Sequence, residues 1–127
     1  MTKVLIIDDS ALSRDFYSRI VQAAGFTFAT AADGMEGLEK ATAELFQLIL
    51  TDVNMQGMDG YEFIRRVRRN PDYEAVPIII ISTEAGELDK QQGFSAGASL
   101  YLVKPTDANR IMESIKLLMG KTLPHPG

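Results

Sequence analysis

Asp8 and Asp9 stand side by side after one short apolar run, Asp52 follows a second, Ser82 and Thr83 follow a third, and Lys104 follows a fourth. Three carboxylates brought together do not all ionise cheaply, because like charges raise one another's pKa, so a cation is implied among them. A hard divalent ion fits, and Mg²⁺ fits best. It takes oxygen ligands from one or two carboxylates, keeps several waters and completes its octahedron with an oxygen of a phosphate. A carboxylate that attacks phosphorus yields an acyl phosphate, a recognised covalent intermediate. Such a transfer asks mainly for positioning and charge neutralisation: a metal, an ammonium and a hydroxyl, one for each phosphoryl oxygen. The acid cluster, Lys104 and Ser82 match that requirement.

These residues meet only if the runs before them lie side by side. The apolar runs are Val4–Ile7, Phe26–Ala29, Leu48–Leu50, Ile78–Ile81 and Leu100–Val103, and they alternate with stretches of helical spacing. Three of the runs are continuous and aliphatic, as strands covered on both faces require. One helical stripe is read as Leu12, Phe16, Ile20 and Ala23, and a second as Leu38, Ala41 and Leu45. Phe63, Ile64 and Val67 give a third, and Ile111, Ile115 and Leu118 with Met112 and Met119 give the last. The fourth helix, near Glu87 to Gly97, is the weakest, since its interior Gly93 costs ~1 kcal/mol against Ala. Ser10, Asp33, Asp59 and Thr106 are the expected helix caps. Gly25, Gly97, Gly120 and Asn70-Pro71 are the expected stops. Right-handed crossovers turn this β-α alternation into a doubly wound α/β fold with a five-stranded parallel sheet, whose ligands bind at the carboxyl ends of the strands. That is the edge where the acids, the hydroxyls and the lysine fall.

With 127 residues the chain has room for one core, and a composition 46% hydrophobic and 24% charged is that of an ordinary globular domain. The net charge of −4 argues against direct nucleic-acid binding and against an anionic membrane surface. Without cysteine there is no disulfide, thiolate metal site or cysteine nucleophile. No stretch reads as a signal peptide or a membrane span, and a cytoplasmic location is the expectation. No G-x-G-x-x-G or G-x-x-x-x-G-K-[ST] occurs, and an Asp-Asp-Ser first loop would repel the phosphates that nucleotide-binding members of such folds hold there.

Across nearly the whole chain these residues resemble the CheY-like receiver domain of two-component signal transduction. Asp8-Asp9 match its acidic pair, Asp52 its phospho-acceptor, Ser82 its switch hydroxyl, Tyr101 its switch aromatic, and Lys104-Pro105 its Lys-Pro pair, whose peptide bond is usually cis. The segment from Asp52 to Gly60 is similar to the family's D-x-x-M-P-x-M-D-G, with Gln56 in place of proline, and Thr106 replaces the apolar residue that often follows Lys-Pro. The resemblance implies a (βα)₅ flavodoxin-like sheet of order 2-1-3-4-5 and a metal held by Asp9, Asp52 and the Asn54 backbone carbonyl, with Asp8 acting through water. It implies phosphoryl transfer from a histidine kinase or histidine phosphotransfer protein to Asp52. It also implies turnover tuned by Asn54 and Glu84, and an output partner docking on the face of the fourth helix, fifth strand and fifth helix. A chemotaxis-type response regulator that self-dephosphorylates and signals by a conformational switch, rather than an enzyme, is the expectation. Residues 1–120 are read as the receiver domain and 121–127 as a tail.

Two alternatives stand beside a free-standing regulator. One is the receiver portion of a longer response regulator or hybrid kinase. The other is a small Mg²⁺-dependent phosphohydrolase using an aspartyl phosphate, as haloacid-dehalogenase-like enzymes do, although those carry D-x-D with the nucleophile first, at the first strand. Plainer roles are expected elsewhere: the Arg65, Arg66, Arg68, Arg69 cluster as cations at a helix C-terminus, and His125 as a tail residue without a ligand partner.

Overall fold

The computed structural model describes residues 2–120; the expected tail 121–127 and His125 lie outside the described residues. Strands β1 (Lys3–Ile7), β2 (Thr27–Ala31), β3 (Leu48–Thr51), β4 (Ile78–Ser82) and β5 (Leu100–Val103) alternate with helices α1 (Ala11–Ala23), α2 (Gly34–Ala43), α3 (Gly60–Arg68), α4 (Glu87–Ala96) and α5 (Ala108–Met119). The sheet is parallel in the order β2-β1-β3-β4-β5. This is the doubly wound arrangement expected from the sequence, and its chain order reverses between β1 and β3.

Successive strand residues point to opposite faces, so each strand feeds two cores. Leu5, Ile7, Ile49, Ile78 and Ile80 meet Phe63, Ile64, Val67 and Ala96 on the face of α2, α3 and α4. Val4, Ile6, Leu48, Leu50, Ile79 and Ile81 meet Tyr17, Ile20, Val21, Ile111 and Ile115 on the face of α1 and α5. The middle strands β1, β3 and β4 are buried almost throughout, as their uninterrupted aliphatic runs require, while edge strand β2 keeps a partly exposed, polar-apolar texture.

Three local readings are corrected. Leu12 (84% exposed), Phe16 (40%) and Ala23, also exposed, do not belong to the buried face of α1, which is Tyr17, Ser18, Ile20 and Val21. Leu45 lies past the end of α2 and is 52% exposed, and Phe46 fills the core in its place. Thr106 does not cap α5: Asp107 does, its side chain accepting from the Arg110 N–H at 2.8 Å, while the Thr106 hydroxyl is buried with no partner. Ser10, Asp33 and Asp59 cap α1, α2 and α3 as expected.

Three of the four arginines in the cluster have structural partners. Arg65 and Arg66 bond Glu62, and Arg68 turns inward to the carbonyls of Tyr73, Val76 and Gly97. Gly93 has a role beyond helix propensity. A Cβ there would sit 2.8 Å from Ile80 Cδ1 and 3.0 Å from Tyr101 Cδ2, so the residue lets α4 close onto β4 and β5.

Candidate acidic site at the carboxyl edge of the sheet

Backbone bonds at the strand ends bring the polar residues together. The Asp52 N–H donates to the Ile7 carbonyl at 2.9 Å, which sets the end of β3 against the residue preceding Asp8. The Lys104 N–H donates to the Ser82 carbonyl at 2.7 Å, which does the same for β4 and β5. Gly60 presses the start of α3 onto the loop after β3: its N–H donates to the Val53 carbonyl at 2.8 Å, and a Cβ would lie 2.0 Å from the Asp52 carbonyl oxygen. Any side chain at position 60 would therefore displace the backbone of Asp52. The peptide bond Lys104-Pro105 is cis.

Lys104 crosses the edge and holds two acids at once, its Nζ lying 2.9 Å from Asp8 Oδ2 and 3.1 Å from Asp52 Oδ2. Asp8 is 1% and Asp52 8% exposed, whereas Asp9 faces solvent. Burial pushes the Asp52 carboxyl above the usual carboxylate range; Lys104 opposes that, Asp8 adds to it, and the Val53 N–H bonded to Oδ1 at 2.7 Å opposes it. Burial alone would lower the Lys104 ammonium, but its bond to Asp8 and the neighbouring Tyr17 and Asp52 raise it, so it stays charged.

Asp8, Asp9 and Asp52 each present a carboxylate oxygen within 4.8 Å of the others. Hard oxygen donors with one exposed member suit an ion that keeps part of its water shell, and the set therefore fits Mg²⁺. One ammonium against three carboxylates leaves the cluster short of positive charge, which a divalent ion would supply.

Ser82 is fully buried at the end of β4, and its Oγ accepts the Glu84 N–H at 3.1 Å. Asn54 and Glu84 are joined: Asn54 Nδ2 donates to Glu84 Oε1 at 2.8 Å. Tyr101 is half-buried, packs against the α2-α3-α4 core and donates its hydroxyl to the Glu84 carbonyl at 2.7 Å. The candidate residues thus fall into one acidic centre, made by Asp8, Asp9, Asp52 and Lys104, and one hydrogen-bonded chain through Ser82, Glu84, Asn54 and Tyr101.

Three further residues join this region. Arg14 donates to the Asp8 carbonyl at 2.7 Å. Tyr17 lies buried close enough to Lys104, Asp8 and Asp52 for their charges to act on its phenol, which burial raises most. Tyr61 donates to the Asp89 carbonyl at 3.0 Å. For the two tyrosines the signal in the sequence was their type: a tyrosine at a core position of a helix needs a partner for its hydroxyl.

Known proteins share this sequence pattern and this fold. Residues 4–116 match the family described as Response regulator receiver domain. The chain is 40% identical over 102 residues to the gliding motility regulatory protein of Myxococcus xanthus, covering 80% of this chain and 13% of that protein. It is 33% identical over 121 residues to the response regulator ArlR of Staphylococcus saprophyticus, covering 95% of this chain and 54% of that one. Among solved structures, the chemotaxis protein CheY4 of Vibrio cholerae superposes with a TM-score of 0.88 at 40% identity, covering 93% of this chain and 98% of that one.

Proposed function

Because the chain belongs to the response regulator receiver domain family of two-component systems, we propose that Asp52 is its phospho-acceptor and that phosphorylation there drives a conformational switch. One observation carries the reading: a single ammonium, Lys104, is bonded at once to Asp8 and Asp52 at the point where strand order reverses. In the proposed step an Asp52 oxygen attacks the phosphorus of a phosphohistidine, the P–N bond breaks, and the imidazole leaves with the electron pair. The donor is a histidine kinase or histidine phosphotransfer protein. Asp9, Asp52 and the Asn54 backbone carbonyl would hold Mg²⁺, with Asp8 acting through water. When bound, the ion neutralises phosphoryl oxygen charge.

Lys104 then takes a second phosphoryl oxygen and the Ser82 hydroxyl a third. The Ser82 Oγ that would donate to that oxygen also accepts the Glu84 N–H, so a shift of the hydroxyl toward the phosphoryl group would draw on Glu84 and with it on the carbonyl that Tyr101 holds. That is the proposed path to an output partner on the α4-β5-α5 face, a population shift between two states. Asn54 and Glu84 are the proposed tuners of self-dephosphorylation, which we expect to be fairly quick. The chain catalyses only its own phosphorylation and dephosphorylation.

The receiver unit is taken as residues 1–120. No helix among the described residues is long and apolar enough to cross a membrane, and a cytoplasmic location belongs to this reading. A stand-alone, chemotaxis-type regulator is the first reading, and its chemotaxis part is supported by the 40% identity to the chemotaxis protein CheY4. The receiver portion of a longer regulator or hybrid kinase is the second reading, favoured by the 13% and 54% of the curated relatives that the chain spans.

Intact mass after incubation with Mg²⁺ and a small acyl phosphate tests the proposal. A gain of about 80 Da that needs Mg²⁺ and is absent from Asp52→Asn supports it. The adduct should decay after the donor is removed, and persistence for many hours would contradict quick turnover. No adduct in the native chain would overturn the acceptor role.

A further inference from the structure

The loop between β4 and α4, residues 83–86, is bonded at Glu84, and the first turn of α4 that follows it is bonded by Tyr61, a residue given no role so far. Tyr61 is the second residue of α3, directly after Gly60, whose close approach ties that helix to the Asp52 backbone. Its ring is 4% exposed, and its hydroxyl donates to the carbonyl of Asp89 in the first turn of α4. The same oxygen lies 3.5 Å from the hydroxyl of Tyr101. Each phenol has one proton, and here each spends it on a carbonyl: Tyr61 on Asp89 and Tyr101 on Glu84. At 3.5 Å the two oxygens are in contact but too far apart for a good O–H···O bond. The Tyr61 oxygen therefore keeps its lone pairs beside Tyr101. If Glu84 moves, Tyr101 finds a second acceptor within about 1 Å of travel.

The other side of the Tyr101 ring is seated against α4 where Gly93 has no side chain, a Cβ there falling 3.0 and 3.2 Å from ring carbons of Tyr101. We propose that Tyr61 is a positioning residue that keeps Tyr101 in its inward seat, by tethering the first turn of α4 to the acceptor loop and by offering Tyr101 a reserve acceptor. The proposal concerns the unmodified chain and goes beyond phospho-acceptance at Asp52, so failure of one leaves the other standing. Its consequence is a bias: a receiver carrying this tyrosine holds the inward Tyr101 more firmly than one with an apolar residue at position 61, before any phosphoryl group arrives.

Fluorotyrosine labelling provides the test, because the chain has 4 tyrosines and each ¹⁹F resonance can be assigned by substitution with phenylalanine. In Tyr61→Phe the ring stays and only the hydroxyl goes. The Tyr101 resonance should then move toward its solvent-exposed position and show a larger H₂O/D₂O shift, and amide exchange over residues 84–90 should quicken about fivefold, as loss of one hydrogen bond implies. Tyr73→Phe is the control, since Tyr73 is equally buried and bonds Ala41, Glu44 and Phe46 away from Tyr101. It should leave both readouts alone, which separates positioning from general loosening. If Tyr61→Phe does not fold, Tyr101→Phe read at the Tyr61 resonance answers from the other side, and that resonance should move. A Tyr101 signal unchanged in folded Tyr61→Phe, a Tyr61 signal unchanged in Tyr101→Phe, or an equal response to Tyr73→Phe would overturn the proposal.

Discussion

Asp52 is a carboxyl under tension between burial and Lys104, and the balance has a sign that unfolding can read. Its folded pKa lies above the usual carboxylate value, with burial the largest cause. Between the unfolded and folded values the folded chain keeps a proton that the unfolded chain has lost, so stability falls as pH rises through that window, and above it the ionised group is a standing cost. Asp52→Asn should therefore raise the melting temperature of the metal-free protein by a few degrees at neutral pH, and the gain should shrink toward zero as pH falls below the window. Thermal melts of both proteins from pH 3 to 8 check this; a loss of stability at neutral pH would mean that the Lys104 bond outweighs the burial. The acids, the lysine and the serine were legible in the sequence because each stands at a strand end. What was hidden is that one lysine spans two acids and that Glu84 is bonded on three sides, since neither follows from spacing along the chain.

At the level of single elements the legible part was the strands, whose continuous aliphatic runs admit few other readings. Helix faces were less legible. In α1 the apolar positions 12, 16 and 20 keep an i, i+4 spacing, yet the face that packs contains Tyr17 and Ser18, polar-tipped residues that a hydrophobic count passes over. Leu12 and Phe16 fit the period and stand outside it in space. The approach to α5 shows the same limit: Thr106 and Asp107 are both good caps, and only the turn geometry selects Asp107. Thr106 is left with a buried hydroxyl that has no partner. Replacing it by the isosteric valine removes that unmet polar group and should stabilise the chain by about 1 kcal/mol, measured by urea unfolding. A destabilised Thr106→Val would show that the hydroxyl has a use in the folded state.

Over the whole molecule, the fold does one thing for the site: it reverses strand order between β1 and β3 and sets three carboxylates on the resulting crevice against one ammonium. An ion that binds only the folded cluster must stabilise the entire chain, by about 2.7 kcal/mol at a hundredfold excess over its Kd. Mg²⁺ should thus raise the native melting temperature, and Asp9→Asn should blunt that rise while leaving the metal-free melt nearly unchanged, Asp9 being exposed. An equal Mg²⁺ response in native and Asp9→Asn protein would remove Asp9 from the ligand set. The central claim, an acyl phosphate on Asp52, is tested most directly by treating the chain with an acyl phosphate and Mg²⁺, reducing it with borohydride, and locating the product by peptide mass spectrometry. An acyl phosphate reduces to an alcohol, so the account predicts homoserine at position 52 and at no other aspartate. Homoserine at position 8 or 9, or phosphate retained on Ser82, would contradict it.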